Sequence, residues 1–299
     1  MNRFLKVTLI SGSICLVLGA ALVFGGVVSG GAKLFNTFVE NGGLSFGEED
    51  FINEPGISGS FEADKEVSHI KVEDFSMGEL MFDVYEGDTI TVEYENVRNG
   101  FVCKQDGASL IMEYKGEDGD IFETIKSWGG INDVLNSYVV VHMPKDYVLS
   151  SCNISLDAGS VNIEQLDSRD MEVSVDAGSV TIEELKADNT ILDVDAGQIV
   201  VKGYYGGDVE ASCDAGSVSL QGTVNGNIDA DCNMGEIDLD LNGAVEKYNY
   251  KLSSNMGAVY LNDKECAEGM SAKLNQNNNG DYTITADCDM GEVDINIAE

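Results

Sequence analysis

DAGSVNI (Asp157 to Ile163), DAGSVTI (Asp176 to Ile182), DAGQIVV (Asp195 to Val201), DAGSVSL (Asp214 to Leu220) and NMGEIDL (Asn233 to Leu239) are versions of one string. Their glycines, Gly159, Gly178, Gly197, Gly216 and Gly235, stand 19 residues apart. NMGAVYL around Gly257 and DMGEVDI around Gly291 follow at wider spacing, and an early copy, SMGELMF, surrounds Gly78. A fixed period of this length is the mark of stacked repeats. Two residues after each late glycine stand Val161, Val180, Ile199, Val218, Ile237, Val259 and Val293, and four after it stand Ile163, Ile182, Val201, Leu220, Leu239, Leu261 and Ile295. The residues between are mostly polar or small, which is the period-two alternation of a half-buried strand. Before the glycine, pairs such as Val173/Val175 and Leu192/Val194 predict a second strand, so each repeat reads as strand, corner, strand, turn.

A single unit of this size buries too little to stand alone, whereas stacking it on like neighbours makes a continuous core. The predicted fold is all-β: a parallel β-solenoid, or single-stranded β-helix, of 19-residue coils. Its rungs would lie ~4.8 Å apart, with right-handed crossovers. No proline follows Pro144, which suits an uninterrupted hydrogen-bonded ladder. The corner glycines suit turns that need positive φ. The competing reading makes Ala177-Gly178 and its equivalents two-residue hairpin loops in an antiparallel meander, but a meander has no reason to keep its spacings identical.

The chain divides into a short cytoplasmic end (1–6), a transmembrane anchor (7–32), a juxtamembrane linker (33–60), an irregular first part of the solenoid (61–147) and the regular repeats (148–299). Val7 to Ala32 carries no charged residue and is long enough to cross a hydrocarbon core of ~30 Å. Arg3 and Lys6 precede it, so the positive-inside rule puts the amino terminus in the cytoplasm and the bulk of the chain outside. The alternative is a cleaved signal peptide ending in the small residues Gly30 to Ala32. Within 61–147, Ile70 to Val72, Leu80 to Phe82, Thr89 to Tyr94, Leu110 to Tyr114 and Val139 to Met143 are strand candidates. The stretch Glu117 to Asn136, with the sole Trp128, breaks the pattern and reads as a short helix or lid that caps the solenoid.

The "I-K-V…G-E-L…V-Y-E-G-D-T-I-T-V" opening, the strand ending at Pro144 and the serial D-A-G-S-V-x-I units, behind a membrane anchor, resemble the bacterial "putative adhesin" family, a domain of unknown function built from β-strand repeats. The resemblance spans Phe61 to Glu299 and implies a single-stranded β-helix in the cell envelope. It implies no chemistry and no catalytic residues, since fold does not establish function.

The formal net charge is −36, and all 53 acidic residues lie at or after Glu40. Such a surface repels phosphate backbones and excludes nucleic acid as a partner. The column two residues before each glycine, Asp157, Asp176, Asp195, Asp214, Asn233, Asn255 and Asp289, is the most distinctive candidate site. Stacked carboxylates ~5 Å apart repel by ~0.8 kcal/mol in water and ~3 kcal/mol at an effective dielectric of ~20. The favoured reading is that each Asp accepts hydrogen bonds within its own turn. The functional reading is that Asp157, Asp176, Asp195 and Asp214, helped by Glu164, Glu183, Asp238 and Asp294, collect Ca²⁺ through oxygen ligands.

Cys213, Cys232 and Cys288 stand three before their glycines, where other repeats place Leu156, Val175 and Val194, and therefore read as core fillers. Stacking would bring Cys213 and Cys232 toward disulfide range. There is no C-x-x-C pair and there are only two histidines, so zinc is disfavoured. His69 and His142 lack a neighbouring nucleophile motif and read as structural. Acid pairs that could hydrolyse glycosidic bonds are too numerous here to be specific. Tyr204 and Tyr205 either stack a sugar ring or cover a core edge, the second reading being favoured.

The chain is therefore expected to be a monomeric, non-catalytic, membrane-anchored surface module that binds a protein, glycan or cation. An envelope scaffold or stress sensor is the alternative, and a polysaccharide-active enzyme comes third. The strand Val293 to Ile297 is expected to leave an open terminal rung, with Asn275 to Gly280 folding over it.

Overall fold

The computed structural model describes residues 56–63, 66–97, 100–114, 137–262 and 264–298, all within the unit Asn53–Glu299. The predicted anchor at 7–32, the cytoplasmic end, nearly all of the linker and the predicted lid at 117–136 lie outside the described residues. Among the described residues no helix is long and apolar enough to cross a membrane, and the helical structure is one 3-10 turn, Val245–Lys247.

Among the described residues eleven strands form a single sheet. They are β1 (Ile57–Glu62), β2 (His69–Tyr85), β3 (Thr91–Val97), β4 (Phe101–Asp106), β5 (Ser109–Tyr114), β6 (Tyr138–Pro144), β7 (Val148–Val224), β8 (Ile228–Asn242), β9 (Tyr248–Leu261), β10 (Lys264–Gln276) and β11 (Tyr282–Ala298). Strand β7 runs for 77 residues and winds through four of the repeats. Like residues lie on like: Gly216 pairs with Gly235, Val218 with Ile237 and Leu220 with Leu239, all parallel. The repeats are thus coils of a solenoid-like ladder, and Ala177-Gly178 and its equivalents are corners, not hairpin loops. A Cβ placed on Gly178 would collide with the carbonyl oxygen of Gly159, and one on Gly197 with that of Gly178. Glycine is required there for close approach as well as for its φ of +152° and +145°.

Burial corrects the two-strand reading of the coil. In the coil of Gly178 the buried residues are Val180 and Ile182, then Leu185 and Ala187, then Thr190, Leu192 and Val194. The alternation slips phase twice between these groups and once more through the next glycine, so each coil has three straight runs and three corners. The middle run was hidden because its inward residues include Ser168, Ala187 and Gly206, which carry little apolar signal. Each fully buried Val, Leu or Ile contributes roughly 1.5–3 kcal/mol, and stacking makes every column of them continuous.

The early copy around Gly78 is not isolated. β2 pairs in parallel with β7, Leu80 on Val161 and Phe82 on Ile163. On its other edge β5 and β6 together form a further coil, pairing with the first and second halves of β2. Beyond it the order breaks down: β4 pairs with β5, β3 with β6 and β1 with β3, all antiparallel.

At the carboxyl-terminal end the spatial order is β8, β11, β9, β10. Strand β11 pairs in parallel with β8 on one side and β9 on the other. The expected open rung at Val293 to Ile297 is therefore interior, and the edge belongs to β10, which pairs antiparallel with β9. The loop after β10 is tied to the start of β9. Asn249 Nδ2 donates to the carbonyls of Gly280 (2.9 Å) and Tyr282 (3.1 Å), and its Oδ1 accepts from the N–H groups of Asn278 (3.0 Å) and Gly280 (3.2 Å). Asn278 Nδ2 in turn donates to the Tyr248 carbonyl at 2.9 Å.

Candidate functional site

The aspartate column assembles as the 19-residue period requires, since each member precedes a stacked corner glycine. Along the ladder it runs Asp157, Asp176, Asp195, Asp214, Asn233, Asp289, Asn255, every side chain exposed. Asp195 shows the consequence: slight burial and the flanking charges of Asp176, Asp193 and Asp214 raise its pKa above the usual carboxylate value. The line changes where asparagine enters it. Asn233 Nδ2 donates to Asp214 Oδ1 at 2.6 Å, and Asn255 Nδ2 donates to Asp289 Oδ1. At Asp214 the partner is thus the next coil. Among the described residues no three His, Cys, Asp or Glu side chains converge as a metal-holding group.

The same device recurs over the outer face, because stacking places residues 19 apart side by side. Asn153 donates to Glu172 at 2.7 Å, Asn189 to Asp170 at 2.8 Å, and Gln221 to Asp240 at 3.2 Å. Ser212 donates to Asp193, while Lys186 and Lys202 reach Asp167 and Glu183. A hydrogen bond to an ionised acceptor is stronger than a neutral one, so these amides and hydroxyls offset part of the like-charge repulsion. Elsewhere acid stacks on acid, Asp294 also accepting from Asn296 Nδ2 at 3.3 Å. Asp238 pairs with Asp294 and Glu236 with Glu292 across β8 and β11. Glu236 has a raised pKa through burial first and the Asp294 charge second. Asp231 is raised by burial and then by Asp287, Asp289, Asp229 and Asp214. Glu164 and Glu183 lie one coil apart on an adjoining outward row.

Cys213, Cys232 and Cys288 stack on one another in the core, all reduced. They do more than fill space. Each Sγ donates to the carbonyl oxygen of the corner glycine one coil away: Cys213 to Gly197 at 3.7 Å, Cys232 to Gly216 at 3.9 Å and Cys288 to Gly235 at 3.6 Å. Ser254 continues the series, its hydroxyl donating to Gly291 at 3.3 Å. The signal that could have found this role is that Ser254, a hydroxyl in an otherwise apolar column, occupies the cysteine position. Cys232 is pushed up by its thiol neighbours Cys213 and Cys288 and by burial. Cys152 and Cys103 are each pushed up to about 12 by burial, whereas Cys266 is exposed.

His69 Nδ1 lies 2.8 Å from Ser151 Oγ, and His142 sits between Asp83 (3.4 Å) and Glu93 (3.8 Å) with its ring edge-on to Tyr85. The tyrosine pair is divided. Tyr204 is buried, its hydroxyl among Thr190, Ala187 and Gly207, while Tyr205 is 61% exposed.

The family described as Toastrack DUF4097 matches residues 67–224 and 190–296. Solved structures are similar to the chain at low identity. A putative cell adhesion protein from Clostridium sporogenes is 12% identical, covering 81% of this chain and 100% of its own, at a TM-score of 0.33. A putative adhesin from Bacteroides fragilis is 14% identical, covering 81% and 96%, at a TM-score of 0.39. A putative lipid binding protein from Parabacteroides distasonis is 15% identical, covering 82% and 98%, at a TM-score of 0.41. No curated protein matches.

Proposed function

The chain belongs to the Toastrack DUF4097 family, and from that premise we propose that it is a non-catalytic binding module held outside the bacterial cytoplasmic membrane by its amino-terminal segment. The observation that carries this reading is the outer face of the ladder. Its carboxylates are held in fixed rows by amide, hydroxyl and ammonium donors one coil away, such as Asn153 with Glu172 and Asn189 with Asp170. A side chain fixed in this way presents a patterned charged surface at little further cost in conformational entropy, which favours recognition over chemistry.

The uncharged run Val7 to Ala32 behind Arg3 and Lys6 supports a single-pass anchor with the amino terminus inside. The formal net charge of −36 supports a monomer, since two copies repel. The exposed Cys266 provides the test. A membrane-impermeant maleimide should label it on intact cells, after removal of any outer layers. Labelling only after permeabilisation would overturn the location. Release of reducing ends from acidic polysaccharides by the purified chain would overturn the non-catalytic assignment.

A further inference from the structure

The outward rows are interrupted by a cleft of about 510 Å³ that crosses the coils of Gly178, Gly197, Gly216 and Gly235. Its floor is bare backbone at Gly203 and Gly222, in a position where the preceding coil carries Glu184. These glycines are fixed by packing: a Cβ on Gly203 would stand 2.7 Å from the Glu183 carbonyl oxygen, and one on Gly222 would collide with the Tyr204 backbone. Two successive coils therefore omit a side chain, and the hollow is built into the ladder.

The cleft adds an exposed aromatic ring to the charged surface. Tyr205 borders it with its ring 61% exposed, and the need to cover the core edge is already met by Tyr204, which is 3% exposed. Its polar lining is Glu184, Lys186, Lys202, Gln221, Asp240 and Asn242. Gln221 Nε2 donates to Asp240 Oδ2 at 3.2 Å, which orients the amide and leaves its carbonyl oxygen and a second N–H for a ligand. Asn242 Nδ2 is held by Thr223 Oγ1 at 3.4 Å. A flat apolar face beside amides, two ammonium groups and two carboxylates suits a ligand with an apolar ring face and a rim of hydroxyls. The surrounding charge opposes a phosphate-bearing ligand, and the polar rim opposes a purely apolar one.

We propose that this cleft binds a pyranose unit of a glycan, the Tyr205 ring lying on the C–H face of the sugar while Gln221, Asn242 and Lys202 hydrogen-bond its hydroxyls. The site rests on the reading of the chain as a surface binding module and gives that module a ligand class. The test is a glycan array probed with the full-length chain in mild detergent, followed by calorimetric titration of the best-retained oligosaccharide. Tyr205→Ala should weaken binding by at least about fivefold and Tyr205→Phe, which keeps the ring face, by less than about twofold. Unchanged melting curves would show that both variants fold. Retention of no glycan, or equal affinity of Tyr205→Ala and wild type, overturns the site. Cys266 labelling on intact cells separates the two failures: labelling without glycan binding rejects the cleft alone, and glycan binding without labelling rejects the location alone.

Discussion

Gly291 packs onto the carbonyl of Gly235, while Gly257, nearer in sequence, lies on the far side of Gly291. Adjacent coils therefore touch through glycine backbone whatever their order along the chain, and the corner tolerates nothing larger. Gly291→Ala places a methyl against that carbonyl at a φ of +154° and should lose at least about 3 kcal/mol in urea denaturation. Gly107→Ala, in an open turn with φ +61° and nothing within 4 Å, should lose only about 1 kcal/mol. Equal losses would contradict the stacking.

The interleaving of β11 depends on Asn249, whose amide donates twice and accepts twice around the loop that reverses the chain. Asn249→Asp turns the donor end into a carboxylate facing two carbonyl oxygens and should lose about 2 kcal/mol. Hydrogen exchange should quicken in β9 and β11 together while the coils of β7 stay protected.

Thiol reactivity should divide sharply among the described cysteines. Exposed Cys266 should react with iodoacetamide in the native state at about pH 8. Cys152 and Cys103, pushed up to about 12, should be spared, as should the buried stack of Cys213, Cys232 and Cys288. Peptide mass mapping checks this, and early modification of Cys232 would refute the core placement.

The charge column should make the fold more stable as it is neutralised. Asp195 has a raised folded pKa, so its ionised form opposes folding above that pKa, and the penalty is relieved as pH falls through that pKa and is gone below the ordinary value of 3.8. Asp195→Asn should therefore raise the melting temperature at neutral pH, and the gain should vanish in acid. With the Asn233 amide already on Asp214, we expect Ca²⁺ and Na⁺ at matched ionic strength to shift the melting temperature equally. A larger shift with Ca²⁺ would establish a cation site along Asp157, Asp176, Asp195 and Asp214.

The stacking was legible because five glycines stand at a constant interval and every late glycine has apolar residues two and four positions beyond it. The third side of the coil was not, since Ser168, Ala187 and Gly206 face inward without apolar bulk. The order of the last strands was not either, since the strings around Gly257 and Gly291 are nearly alike and local pattern cannot say which seats on β8. Of the candidate features, the aspartate column was visible as repeated residues. The cleft was not, because its signal is the omission of side chains at Gly203 and Gly222.

The place of β11 between β8 and β9 sets a timetable for synthesis. The coils of β7 can close one on another as the ribosome delivers them, each finding its neighbour already made. Strands β9 and β10 emerge before the strand that must lie beneath them, so the coil of Gly235 waits with an unsatisfied edge until β11 arrives. That interval is when the nascent molecule is most exposed to pairing with a stranger, and it closes only when the later strand slides home.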